Sequence, residues 1–100
     1  MATVTVRYED DTSNPVATLT AVHINAVDVD GTDETDNSEI RYYLSAEASG
    51  VTSAKSQEFS GDFTWHGWIF PEAASWTIHL RKVEDDSSVA DSGAITVDAA

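Results

Sequence analysis

The stretch "FTWHGWIFPEAASW" spans residues 63–76. It holds all three tryptophans and two of the three phenylalanines of a chain otherwise rich in small, polar and acidic residues. In a strictly alternating strand, Phe63, Trp65, Gly67 and Ile69 share one face, and Thr64, His66, Trp68 and Phe70 the other. Both faces would then carry large apolar groups. A bulge at His66–Gly67 shifts the phase by one residue, and glycine is the residue that permits it locally. Phe63, Trp65, Trp68 and Phe70 then line one inner face, against Trp76, Ile78 and Leu80 of the next strand. The bulged reading makes the stretch a core, each buried aromatic contributing on the order of 2–3 kcal/mol from area alone. The unbulged reading leaves Trp65 or Trp68 outside, as a contact for a sugar ring or for a pocket on a partner protein.

Outward from this stretch, strand signals recur at short spacing. "TVTVRY" (3–8) alternates with Val4, Val6 and Tyr8 on one face. "EDDTSNP" (9–15) reads as a polar loop. "VATLTAVHINAV" (16–27) reads as a long strand with apolar groups on both faces, which suits the middle of a sandwich. "DVDGTDETDNSE" (28–39) is an acidic loop. "IRYYLSAE" (40–47) points Ile40, Tyr42 and Leu44 one way and Arg41, Tyr43 and Ser45 the other. "ASGVTSAKS" (48–56) reads as a turn and a short edge strand blunted by Lys55. "SWTIHLRKV" (75–83) sets Trp76, Ile78 and Leu80 against Thr77, His79 and Arg81. "EDDSS" (84–88) is a hairpin turn by composition, and "VADSGAITV" (89–97) returns with Gly93 marking a bulge or bend. About seven short strands, with turns every 8 to 12 residues, predict a single all-β domain over 1–100, a two-sheet antiparallel sandwich.

The 100 residues include 18 Asp and Glu against 5 Lys and Arg, a formal net charge of −13, and no cysteine. Such a balance opposes nucleic acid and anionic membranes, since only Arg81-Lys82 forms a basic pair. It suits a solubilising surface. The chain must fold without disulfides. No apolar run approaches the ~20 residues of a membrane span. The opening Met1-Ala-Thr-Val-Thr-Val-Arg lacks the basic front and unbroken apolar stretch of a signal peptide, which, if Met1 is native, reads as synthesis in a cytoplasm without export by that route.

The run from "ATLTAVHINAVDVDG" through "RYYLSAEASG" to "FTWHGWIFPEAASWTIHL" and "GAITV" resembles bacterial and phage immunoglobulin-like domains, including the polycystic-kidney-disease-type branch. The resemblance rests on a "DxDG" after the second strand and on a corner of the form F-P-x-x-G-x-W/Y-T. Here that corner reads Phe70-Pro71-Glu72-Ala73-Ala74-Ser75-Trp76-Thr77, with Ala74 near the usual glycine. It implies an immunoglobulin-like sandwich. It implies a structural role as a phage head decoration protein, on the outside of a capsid or tail protein lattice in the virion, with oligomerisation on the lattice possible. The alternative is a carbohydrate-binding or adhesive module of a larger surface or tail protein.

Several residues are candidates for chemistry or contact. Asp28, Asp30, Asp33 and Asp36 cluster around Gly31 and are calcium candidates, because calcium takes six to eight oxygen ligands. The helical calcium loop wants a later glycine and flanking helices, so a solvated acidic turn competes with that reading. His23, His66 and His79 show no metal-binding spacing, although the rings of His66 and His79 meet if their strands pair. No nucleophile elbow or phosphate-binding loop is present, so no catalytic residue and no enzyme activity is expected. Trp68, Trp65, Tyr43 and the terminal segments are the contact candidates.

Overall fold

The computed structural model describes residues 1–8 and 14–100, Tyr8 by its backbone alone; most of the expected 9–15 loop lies outside them. Seven strands follow in order: β1 (Thr3–Tyr8), β2 (Ala21–Val27), β3 (Tyr42–Ala48), β4 (Val51–Lys55), β5 (Phe63–Ile69), β6 (Ala74–Lys82) and β7 (Ser88–Val97). They form two sheets, β1-β2-β5 and β4-β3-β6-β7, and every strand pair is antiparallel. The chain crosses between sheets after β2, β4 and β5. This is a Greek-key β-sandwich, with the fourth strand hydrogen-bonded to β3.

Alternation decides which side chains face in. Val4, Val22, Ile24 and Ala26 come from the three-stranded sheet. Tyr42, Leu44, Ala46, Trp76, Ile78, Leu80, Ile95 and Val97 come from the other. These groups, with Phe59 and Phe70, form one buried cluster. Where the pattern breaks, the backbone shows why. Gly93 takes φ 75°, and the β6–β7 register shifts between Thr77 and His79, as the glycine predicts. The expected 16–27 strand begins only at Ala21. Residues 16–20 form a turn instead: Leu19 and Thr20 donate backbone N–H groups to the Val16 carbonyl, and the Thr20 hydroxyl accepts from the Val16 N–H. Thr18 sits at φ 64° and Leu19 is exposed. The outer side of β2 (Ala21, His23, Asn25) is half-buried, so only one face of this strand joins the core.

The "FPEAASW" corner holds by backbone contacts at both ends. The Thr18 N–H donates to the Phe70 carbonyl, and the Trp76 indole N–H donates to the Glu72 carbonyl at 2.9 Å. Phe70 and Trp76 are fully buried.

Candidate functional site

The phase of β5 is settled by its register on β2. Ile24 pairs with Trp65 and Val22 with Trp68, so two residues, His66 and Gly67, stand opposite His23 alone. Gly67 has φ 66°, a left-handed conformation open to glycine at no steric cost. The bulge turns both tryptophans to the inner side. Their ring centroids lie 4.7 Å apart, and Trp68, Phe70 and Trp76 continue the contact at 6.0 and 5.3 Å. A second aromatic series runs Tyr42–Phe59–Phe63 at 6.3 and 4.4 Å. β1 packs toward β7, which sets β5 over the opposite flank, at the open edge of the sandwich. There Phe63, Trp65 and Trp68 are half-buried and pack on the core. The Trp68 Nε1 is buried and has no acceptor among the described residues. Neither contact candidate therefore stands on the outer surface of its sheet.

The loops after β2, β4 and β6 share one end of the sandwich, because Ala26 pairs with Phe63 and Tyr42 with Lys82. Eleven of the 18 acidic residues lie in these loops, from Asp28 to Asp86. The calcium candidates do not converge. Asp33 accepts from the Thr35 N–H and Asp36 from the Ser38 N–H, so each carboxylate caps its own turn. Hydrogen bonding from Ser38 holds the Asp36 carboxyl below its ordinary value. Among the described residues, no group of three or more His, Asp or Glu side chains is placed to hold a metal ion. Gly31 has a packing reason instead: a Cβ there would lie 2.8 Å from the Gly61 nitrogen. Ser60 donates to the Gly31 carbonyl, and the Tyr42 phenol donates to the Asp30 carbonyl at 2.7 Å. A pocket of about 370 Å³ opens at this end, lined by both signs of charge, including Asp33, Glu39, Arg41, Lys82 and Glu84. Crowded carboxylates repel, and salt screens them. Raising sodium chloride from 20 mM to 0.5 M is expected to raise the melting temperature by a few degrees, as followed by circular dichroism. A fall would contradict this charge distribution.

Tyr43 points outward from the four-stranded sheet, as alternation predicts, but it is only 7 % exposed. Its hydroxyl donates to Asp86 at 2.6 Å, and the Lys55 ammonium sits 4.9 Å from the ring centre. Arg81 binds Glu47 through two nitrogens, at 2.8 and 3.1 Å, and donates to the Asp86 carbonyl. This network covers the ring, so Tyr43 is not available as a surface contact. Burial, then the Asp86 hydrogen bond, pushes the Tyr43 phenol up to about 12. The Arg81 hydrogen bonds hold the Glu47 carboxyl below its ordinary value. A raised folded value means that the phenol's contribution is complete below pH ~10 and is lost as pH rises toward 12. A lowered value means that the Glu47 contribution is lost as pH falls below ~4.5. Tyr43→Phe is expected to be less stable than the native chain by ~1 kcal/mol at pH 7. That gap should close between pH 10 and 12 in urea titrations; a constant gap would contradict the assigned hydrogen bond.

The outer face of β1-β2-β5 is of a different kind. Thr3, Thr5 and Arg7 align with Ala21, His23, Asn25 and Val27, and these with Thr64, His66 and Ile69. Among these described residues there is no carboxylate, in a chain of net charge −13. Val27 and Ile69 are exposed apolar groups on it, and Thr64 donates to the Asn25 side-chain oxygen at 2.7 Å. The chain matches no family model, no curated protein and no solved structure. The acid-free face was missed in the sequence because its three strands are not consecutive. The signal was present: none of the outward positions of those strands is Asp or Glu. The strands of His66 and His79 do not pair. β5 and β6 lie in different sheets, so His66 meets His23, while His79 contacts Ser88.

Proposed function

We propose that the chain is a non-enzymatic binding module: a decoration protein that lies on a repeating protein lattice, the outside of a phage head or tail. Its contact surface is the outer face of β1-β2-β5, and its acidic end stays in solvent. The observation that carries this reading is the absence of carboxylates from that face among its described residues, against −13 for the whole chain. Juxtaposed like charges cost several kcal/mol at an interface. A protein this acidic meets another protein surface with least repulsion where it carries no carboxylate. Threonine, asparagine and histidine there offer hydrogen bonds around the apolar Val27 and Ile69. The resemblance to phage immunoglobulin-like domains supplies the lattice. The sugar-binding alternative calls for an exposed aromatic platform, and with Trp65 and Trp68 turned inward and Tyr43 covered, nothing favours it.

The test is co-sedimentation with undecorated heads of the phage that encodes the chain. The native protein should pellet with the heads. Thr3→Glu with Thr5→Glu should abolish pelleting, and Ser38→Glu at the acidic end should leave it unchanged. Failure of the native protein to pellet sinks the lattice reading, and undiminished pelleting of the double variant sinks the face.

A further inference from the structure

We propose that His23 and His66 form a two-imidazole binding site for a borderline divalent transition metal of the zinc class. The two Nδ1 atoms lie 3.3 Å apart, with ring centroids 5.0 Å apart and planes at 75°. Two nitrogens each ~2.05 Å from one tetrahedral zinc ion are roughly 3.3 Å apart, and their ring centroids roughly 5.2 Å. A straight N–H···N bond of the same length would set the centroids roughly 5.6 Å apart. The observed spacing, 3.3 Å between the nitrogens and 5.0 Å between the centroids, is closer to that of two imidazoles on one tetrahedral ion than to that of a straight hydrogen bond.

The bulge makes this geometry. His66 and Gly67 together oppose His23. The extra residue brings the His66 ring beside His23, while Trp65 and Trp68 on either side anchor the strand to the core. The face offers nitrogen donors and no carboxylate among its described residues. Imidazole suits zinc, nickel and copper, whereas calcium and magnesium require oxygen ligands. No third His, Asp or Glu among the described residues completes the shell. Two coordination positions remain for water or for a further donor. Arg7, across from His23, is the charged group on the neighbouring strand, and its charge weakens the site.

The experiment is zinc titration of the full chain at pH 7.5, by calorimetry and thermal unfolding. The variants are His23→Ala, His66→Ala and, as a control, His79→Ala, each also melted without zinc. At free zinc ten times the Kd, mass action favours the folded state about 11-fold, a rise of roughly 8 °C for a domain of this size. The rise should vanish in His23→Ala and His66→Ala and persist in His79→Ala. Imidazole signals of His23 and His66, and not those of His79, should shift in NMR spectra of the native chain. Absence of saturable zinc binding by the native chain, a rise retained in His66→Ala, or equal shifts of all three imidazoles would overturn the proposal.

Discussion

Trp76→Ala is expected to remove about 3–5 kcal/mol of stability. The side chain is fully buried between the sheets, packs against Phe70 in a tilted contact with centroids 5.3 Å apart, and donates its indole N–H to the Glu72 carbonyl. Alanine leaves a cavity beside Phe70 and Ile95 and removes the indole hydrogen bond to the Glu72 carbonyl at the corner into β6. A domain of this size has a total stability of roughly 5–15 kcal/mol, so the variant stands at the edge of unfolding at 25 °C. Urea titration followed by circular dichroism reads the effect. A loss below ~1 kcal/mol would mean that the corner and the core do not depend on this residue.

Deletion of Gly67 is expected, by contrast, to keep the core faces. His66 and Gly67 together stand opposite His23, so removing the glycine leaves His66 paired with His23 and strict alternation through Phe70. Trp68 and Phe70 stay inward and Ile69 outward. The burial of these two large aromatic side chains, worth on the order of 4–5 kcal/mol from area alone, is retained. Gly67→Ala is the graded comparison. It keeps the phase but puts a Cβ at φ 66°, where L-residues are strained by about 1–2 kcal/mol. A Cβ there meets nothing within 4 Å, so crowding adds nothing to the strain. The deletion should therefore cost less than the substitution in urea titrations. A loss of several kcal/mol on deletion would contradict the assigned bulge.

Most of the strand content was legible because inward positions alternate cleanly. "TVTVRY", "IRYYLSAE" and "SWTIHLRKV" each read correctly to within two residues. Residues 16–20 misled because β-branched and apolar types there look like strand. A local hydroxyl-to-backbone bond and the Val16 carbonyl captured the chain in a turn. Tyr43 misled because outward does not mean exposed: Lys55, Glu47, Arg81 and Asp86, from four separate segments, close over it. The "DVDG" loop carried two readings, and the geometry favours packing. Gly31 is small because Gly61 approaches it, and Asp33 and Asp36 are spent on their own turns. The acid-free face and the His23–His66 pair required knowing that β5 sits beside β2, a pairing of strands far apart in sequence.

The account rests on the bulge in "FTWHGWIF". It places Trp65 and Trp68 on the core side, brings His66 to His23, and leaves the outer face of the sheet free of large aromatics. A nuclear Overhauser experiment on the native chain tests it directly. The indole rings are 4.7 Å apart, so their protons should show a cross-peak, with further peaks from Trp65 to the Ile24 methyls and from Trp68 to the Val22 methyls. In an unbulged strand, residues three apart lie on opposite faces. No peak between the indoles, with contacts from either ring to Asn25 or His23 instead, would contradict the account.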